Sequence, residues 1–151
     1  IMTATTKQSS AIVQALNQLL VIHARSLPVY LSDTSPWERP GQEDARRVLK
    51  TIADDHRRTV DQLAGVIEEF NGNADTGDFP LLYTSFNDLS VDFLLRKAVE
   101  FQKRELQVID ECIETFATAP RAKALAQEIR GAALGHLDSL VELTQGSAVG
   151  K

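Results

Sequence analysis

The sequence predicts an all-α protein, an antiparallel four-helix bundle with a longer crossover between the second and third helices. Apolar residues recur every three or four positions along four long stretches, which is the spacing of one face of a helix. No stretch alternates apolar and polar residues in the way that a half-buried strand does. The length of 151 residues is typical of one domain, and we interpret the whole chain, 1–151, as a single helical domain.

The first predicted helix covers about residues 8–32. We expect Pro28 to bend it, because proline lacks the N–H group that the helical hydrogen-bond ladder needs. Residues 32–42 form a predicted loop rich in turn-favouring residues, and we interpret its Trp37 either as a lid over the bundle end or as an exposed contact residue. The helix is predicted from the spacing of Ile12, Leu16, Leu19, Leu20, Leu27 and Tyr30.

The second predicted helix covers about residues 43–71 and is expected to stop at the sequence Asn71-Gly72-Asn73. Asn and Gly favour the left-handed backbone conformation that commonly ends a helix. The segment that follows, up to Ser90, is too long for a tight hairpin and too apolar to hang free in water. We therefore expect an ordered crossover in which Tyr83 and Phe86 cover the core.

The third and fourth predicted helices cover about residues 90–118 and 120–145. The third is expected to begin near Asp88 or Ser90, and Pro120 favours the start of the fourth because proline is tolerated in the first turn. The tail from Gly146 onward is expected to fray. Cys112 falls on the apolar face of the third helix, where we favour an inert packed thiol over a nucleophile.

Composition excludes several classes of protein. Hydrophobic residues make up 43% of the chain and charged residues 25%, which is ordinary for a globular protein. The net charge of -5, without a basic run, argues against nucleic acid as a partner. No apolar run is long enough to span a membrane, and a single cysteine cannot form an internal disulfide, so we expect a cytoplasmic protein.

The three histidines all fall on apolar faces of predicted helices. On helical wheels, His23, His56 and His136 each lie between apolar residues one turn away in both directions. Gln102 and Glu105 are the polar residues inside the apolar face of the third helix. The distances of these residues from the connecting loops place them at similar depths, so the sequence predicts one cluster inside the bundle.

We interpret this cluster as a site for one transition-metal ion, with Fe or Zn preferred. Neutral imidazoles suit Zn, Fe, Cu and Ni, and either an open position or a carboxylate from Glu105 would complete the ligand set. The alternative is a metal-free structural or interaction module in which the buried imidazoles bond one another, Gln102, Thr59 and water. A third possibility is haem or another small ligand held through a histidine. No substrate or general base is evident, so the sequence predicts no reaction.

Two segments resemble the ferritin-like superfamily, in particular bacterioferritin and rubrerythrin. The run Leu16–His23 is similar to a bacterioferritin pattern in which Leu-Asn is followed, six residues after the Asn, by a metal-binding glutamate. The run Gly135-His136-Leu137-Asp138 resembles the family's Gly-His-Ile-Asp sequence, so His136 matches the family's ligand histidine. The resemblance implies a ferritin-like fold over nearly the whole chain, a metal site inside it and a homodimer.

The ligand positions depart from the family pattern. His23 and His56 stand where the family has glutamates, and Gln102 stands where the third helix has another. Ala133 replaces the bridging glutamate of the last helix, and Thr59 replaces the histidine of the second. A di-iron site uses such carboxylates to hold two cations close together. The resemblance therefore implies a site for one ion and not a standard di-iron ferroxidase.

Overall fold

The computed structural model describes residues 2–34, 42–86 and 89–149. These residues contain helices and no strand, so the all-α fold class is confirmed. Trp37 and Asp88, on which two of the interpretations depend, lie outside the described residues. The helices are α1 Met2–Ala24, α2 Leu27–Thr34, α3 Glu43–Glu69, α4 Val91–Thr115 and α5 Pro120–Val149, with a short 3-10 helix at Leu81–Phe86 between α3 and α4.

The first predicted helix is two helices, so the prediction of one bent helix over residues 8–32 was wrong. Pro28 cannot donate to the carbonyl of Ala24, and its ring would clash with that carbonyl, so α1 ends at Ala24. Ser26 then starts α2: its hydroxyl accepts a hydrogen bond from Val29 N at 3.4 Å, as an N-cap does. The interruption at residues 25–26 places Ser26 inside the protein.

The end of α3 confirms the predicted stop at Asn71-Gly72. Asn71 adopts a left-handed φ of 60°. Its N–H donates to Glu68 O, and the N–H of Gly72 donates to Ile67 O, both at 2.9 Å. These two bonds form a Schellman motif and satisfy carbonyl groups that the helix itself leaves open.

Gly72 is also required by close packing, which gives a testable prediction. A Cβ atom at position 72 would lie 2.6 Å from Val13 Cγ1, and a β-branched side chain cannot easily turn away. We expect Gly72→Ala to lower the free energy of unfolding by about 1–3 kcal/mol. Gly65→Ala is the control, since nothing lies within 4 Å of a Cβ there, and it should stabilise by about 0.5–1 kcal/mol. Urea unfolding of both variants measures this; equal effects would contradict the packing argument.

The remaining boundaries agree with the predictions within a few residues. Ser90 caps α4 by accepting a hydrogen bond from Phe93 N at 3.2 Å, and Pro120 is the first residue of α5. The backbone of α5 stays helical to Val149, so fraying from Gly146 is not observed over the described part of the tail. In the crossover, Tyr83 and Phe86 are buried as predicted, whereas Leu81 is 87% exposed.

The long helices contact one another in a closed order. Helix α1 packs against α3 and α4, and α5 packs against the same two helices from the other side. Helix α2 follows α1 in the chain and contacts α3 and α4. Every long helix therefore has two long neighbours, and its inward face is enclosed. Among the described residues, no helix is both long and apolar enough to cross a membrane.

Candidate metal centre

A layer of polar side chains separates two apolar clusters in the interior. One cluster includes Leu20, Leu63, Ile109 and Ala133, from α1, α3, α4 and α5 in turn. The other includes Leu27, Ile52, Ala98 and Leu140. Along the sequence, each polar residue lies between a residue of one cluster and a residue of the other. These polar residues are His23, His56, Gln102, Glu105 and His136. The short distances between their side chains support the expectation that these residues lie at similar depths in the bundle.

His23 lies in the last turn of α1 and is 2% exposed. Its Nδ1 is 2.8 Å from Leu19 O. Because a carbonyl oxygen can only accept, Nδ1 carries the proton, and Nε2 of the neutral ring keeps its lone pair. Burial lowers the pKa of His23 to about 4, so the ring is neutral near pH 7. His23 therefore presents a ligand nitrogen to the interior.

His56 faces His23 across the interior, with ring centres 4.8 Å apart. Its Nδ1 is 2.8 Å from the hydroxyl of Ser26, the residue that also caps α2. When Nδ1–H donates to this hydroxyl, Nε2 is left with a lone pair. Burial, followed by the proximity of His23 and His136, holds the pKa of His56 well below its usual value. The ring is therefore neutral and anchored at one nitrogen.

Glu105 brings a carboxyl group to both rings. Its Oε1 is 3.7 Å from His23 Nε2 and 3.9 Å from His56 Nε2, distances too long for hydrogen bonds. Burial raises the pKa of Glu105 to about 8, and an interaction with the Gln102 side chain opposes that rise. Without a cation, the carboxyl group is protonated at neutral pH and the cluster is uncharged.

His136 stands next to His56 but is less buried than the sequence predicted, with 12% of its side chain exposed. The two ring centres are 5.6 Å apart. His136 Nε2 donates to Asp55 Oδ2 at 2.8 Å, which leaves Nδ1 with the lone pair. Metal-bound histidines commonly donate their second nitrogen to a carboxylate in this way.

Gln102 contacts the site from one side and is 4% exposed. Its Nε2 donates to Ala133 O at 3.1 Å, one turn before His136 on α5. Glu105, one turn further along α4, is the residue that reaches the histidines. Gln102 thus contacts both Glu105 and α5.

Three buried polar atoms have no hydrogen-bond partner within the described part of the chain: His56 Nε2, Glu105 Oε2 and His136 Nδ1. Such atoms are rare in folded proteins because burial without a partner is costly. All three belong to the predicted cluster. Ligand atoms of His23, His56 and Glu105 all lie within 4.8 Å of one another, so this group could hold a metal ion.

The structure therefore brings together His23, His56 and Glu105 and places His136 and Gln102 beside them. Neither Ser26 nor Asp55 was predicted from the sequence to belong to the site. Asp55 is part of a charged sequence in which Arg58 pairs with Asp55 and Arg57 pairs with Asp54. The sequence feature that could have identified Asp55 is its position one residue before an inward histidine. For Ser26, that feature is its position two residues before Pro28.

Comparison with known proteins adds no assignment. No protein-family model matches the sequence, and no curated protein is significantly similar to it. The nature of the site rests on its own residues.

Proposed function

We propose that this protein is a ferritin-like four-helix bundle that binds one transition-metal ion, Fe or Zn, inside the bundle. His23, His56 and Glu105 would be the central ligands, with His136 as the third imidazole. The closed order of helix contacts and the long connection between α3 and α4 support the bundle. The sequence resemblance at Leu16–His23 and Gly135–Asp138 supports the ferritin-like topology.

The spacing of the ligand atoms is the observation that carries the metal proposal. Two ligand atoms bound to one tetrahedral ion at about 2.1 Å lie roughly 3.4 Å apart. The carboxyl oxygen of Glu105 is 3.7 and 3.9 Å from the two histidine nitrogens, so small side-chain movements would complete the geometry. At these distances the Glu105 oxygen forms no hydrogen bond with either histidine nitrogen, so hydrogen bonding does not explain why the three groups lie together.

The second nitrogen of each imidazole supports the same assignment. His23 is anchored by a backbone carbonyl, His56 by Ser26 and His136 by Asp55. In each ring one nitrogen is fixed by the protein, and the other faces the cluster or lacks a partner. Partners of this kind orient a ligand histidine and select its tautomer.

The ligand chemistry favours Fe or Zn. Two or three neutral imidazoles with one carboxylate form a borderline set that both ions accept, whereas Mg²⁺ and Ca²⁺ prefer oxygen ligands. Bound metal would stabilise the ionised form of Glu105, so that one positive charge is offset inside the protein. Because no reacting group is identified beside the ligands, the proposal is metal binding and not a named reaction.

Elemental analysis of protein purified without an affinity tag tests the proposal. We expect about one Fe or Zn ion per chain, removable by chelation and restored by adding the metal. His23→Ala, His56→Ala and Glu105→Ala should each reduce the bound metal. Absence of metal both after purification and after reconstitution would contradict the proposal and leave the metal-free module. The homodimer stays a prediction, to be checked by sedimentation.

Asp55 gives a sharper prediction, because a matched control lies next to it. We expect Asp55→Asn to weaken metal binding about 10- to 100-fold, since His136 loses its charged anchor. Asp54→Asn removes the same charge from the same turn, but Asp54 pairs with Arg57 and not with a histidine. It should leave metal affinity nearly unchanged. Competition with a chromogenic chelator measures both variants, and equal losses would exclude an anchoring role for Asp55.

A further inference from the structure

A pocket of about 250 Å³ lies against the candidate metal centre. It is formed where the first helix is interrupted, between α1, α2, the crossover segment and α4. Its lining includes Glu105 and Gln102, together with Ser26, which anchors His56. A molecule inside this pocket would therefore contact the carboxyl group that we assign as a metal ligand.

The pocket walls select against strongly hydrated molecules. Most of the lining residues are apolar, with Val21, Leu27, Tyr83, Ala98 and Phe101 among them. Small-molecule sites typically have this character, with a few polar groups that fix the orientation of the ligand. A cavity of about 150 Å³ accommodates benzene, so this pocket has room for a monocyclic aromatic or short aliphatic compound.

Two arginines that line the pocket differ in their partners. Arg104 pairs with Glu100 at 2.7 Å, so its charge is offset. Arg25 donates instead to the carbonyl groups of Thr76 and Gly77 and to the hydroxyl of Thr76. Its guanidinium also lies over the Phe79 ring, and within the described ranges no carboxylate pairs with it. Asp78 lines the same pocket without forming an ion pair with Arg25. Arg25 therefore keeps a positive charge that an anionic ligand group can pair with.

We propose that this pocket binds a small organic monocarboxylate with an apolar body, such as an aromatic acid with one ring or a short-chain fatty acid. The carboxylate pairs with Arg25, and the apolar body packs between Leu27, Tyr83 and Phe101 with its far end towards Glu105. The placement of this end beside a metal ion rests on the proposed function. Occupancy of the pocket by the acid does not require the ion.

Calorimetric titration with benzoate and hexanoate tests the proposal, on chelator-treated and zinc-loaded protein. Benzamide is the neutral control, because it has the shape of benzoate without the charge. We expect benzoate to bind about tenfold more tightly than benzamide, and Arg25→Gln to abolish that preference. Arg130→Gln, a matched change in a guanidinium that pairs with Asp110 and does not line the pocket, should alter benzoate affinity by less than about threefold.

A pocket-filling variant locates the bound acid. Ala98→Leu should weaken benzoate and hexanoate about tenfold or more by occupying the pocket, with circular dichroism used to verify that the variant is folded. Failure of both acids to bind, equal affinity for benzamide, or unchanged affinity in Arg25→Gln would overturn the proposal. Metal content is measured on the same samples. Acid binding without metal binding would support the pocket and contradict the proposed metal site, whereas metal binding without acid binding would do the reverse.

Discussion

Saturating zinc is expected to raise the thermal unfolding midpoint of the protein by roughly 8–16 °C, the shift that corresponds to about 4 kcal/mol when the metal is at 1,000 times its dissociation constant. The increase arises because the ion binds the folded site, whose proposed ligands come from α1, α3, α4 and α5, and not the unfolded chain. We expect this stabilisation at the candidate metal centre, because three of its buried polar atoms lack hydrogen-bond partners in the described structure.

Substitution of the ligands should remove this stabilisation without removing the fold. Glu105→Gln exchanges a ligand for a side chain of similar size and should be nearly neutral for the metal-free protein. His56→Leu also leaves the buried Ser26 hydroxyl without its imidazole partner, so it should lower the stability of the metal-free protein by about 1–3 kcal/mol. We expect the midpoint of both variants to be insensitive to zinc. Glu100→Gln is the control, since this glutamate on the same helix is 43% exposed and pairs with Lys97 and Arg104. A zinc response in the ligand variants equal to that of the wild type would place the metal elsewhere.

The chelator-treated protein is expected to be most stable near pH 6.5 and to lose about 2 kcal/mol between pH 6.5 and pH 8. Burial raises the pKa of Glu105 to about 8 from its ordinary value of 4.5. Between these values the folded protein keeps a proton that the unfolded chain has released, so stability falls as pH rises through this window. Above the folded pKa the loss is complete.

The histidines produce the opposite slope at lower pH. Burial lowers the pKa of His23 to about 4, and the pKa values of His56 and His136 are also lowered. Below pH 6.5 the unfolded chain takes up protons that the folded protein does not, so stability falls as the solution becomes more acidic. Above pH 6.5 both states carry neutral histidines, and the decline toward pH 8 is expected from Glu105.

Glu105→Gln separates these contributions. The amide does not titrate, so the decline between pH 6.5 and pH 8 should disappear while the loss of stability at acid pH remains. Glu100→Gln is the control, because it removes an exposed carboxylate from the same helix. Gln102→Glu is unsuitable, because it adds a charge to the site. Urea unfolding at several pH values measures the profiles. A decline that persists in Glu105→Gln would assign it to another group.

Local sequence patterns predicted much of the interior correctly. Helical periodicity identified His23, His56, Gln102 and Glu105 as inward-facing, and all four are buried. The direction of a side chain around its own helix depends on residue spacing alone, which is why it can be read before the helices are packed. The stop at Asn71 and the start at Pro120 were also predicted, since they follow from backbone conformations that few residue types adopt.

The same patterns did not predict how the first helix is divided. Pro28 signalled an irregularity, but a bend and a break have the same local signature. The break is stabilised by contacts that are distant in sequence, because Ser26 bonds His56 from α3. The pocket beside the site follows from this break.

What the sequence by itself determined is the all-α class, most helix ends and the inward direction of the polar residues. The tertiary structure alone decided which of these residues meet: Glu105 lies within 4 Å of two histidines, Gln102 bonds the backbone of α5, and His136 is held by Asp55. The physical reason is one of scale. A shift of one helical turn moves a side chain by about 5.4 Å, more than a hydrogen bond or a metal ligand bond can span. Residue spacing fixes the direction of a side chain, but its partners depend on how neighbouring helices are rotated and shifted against one another.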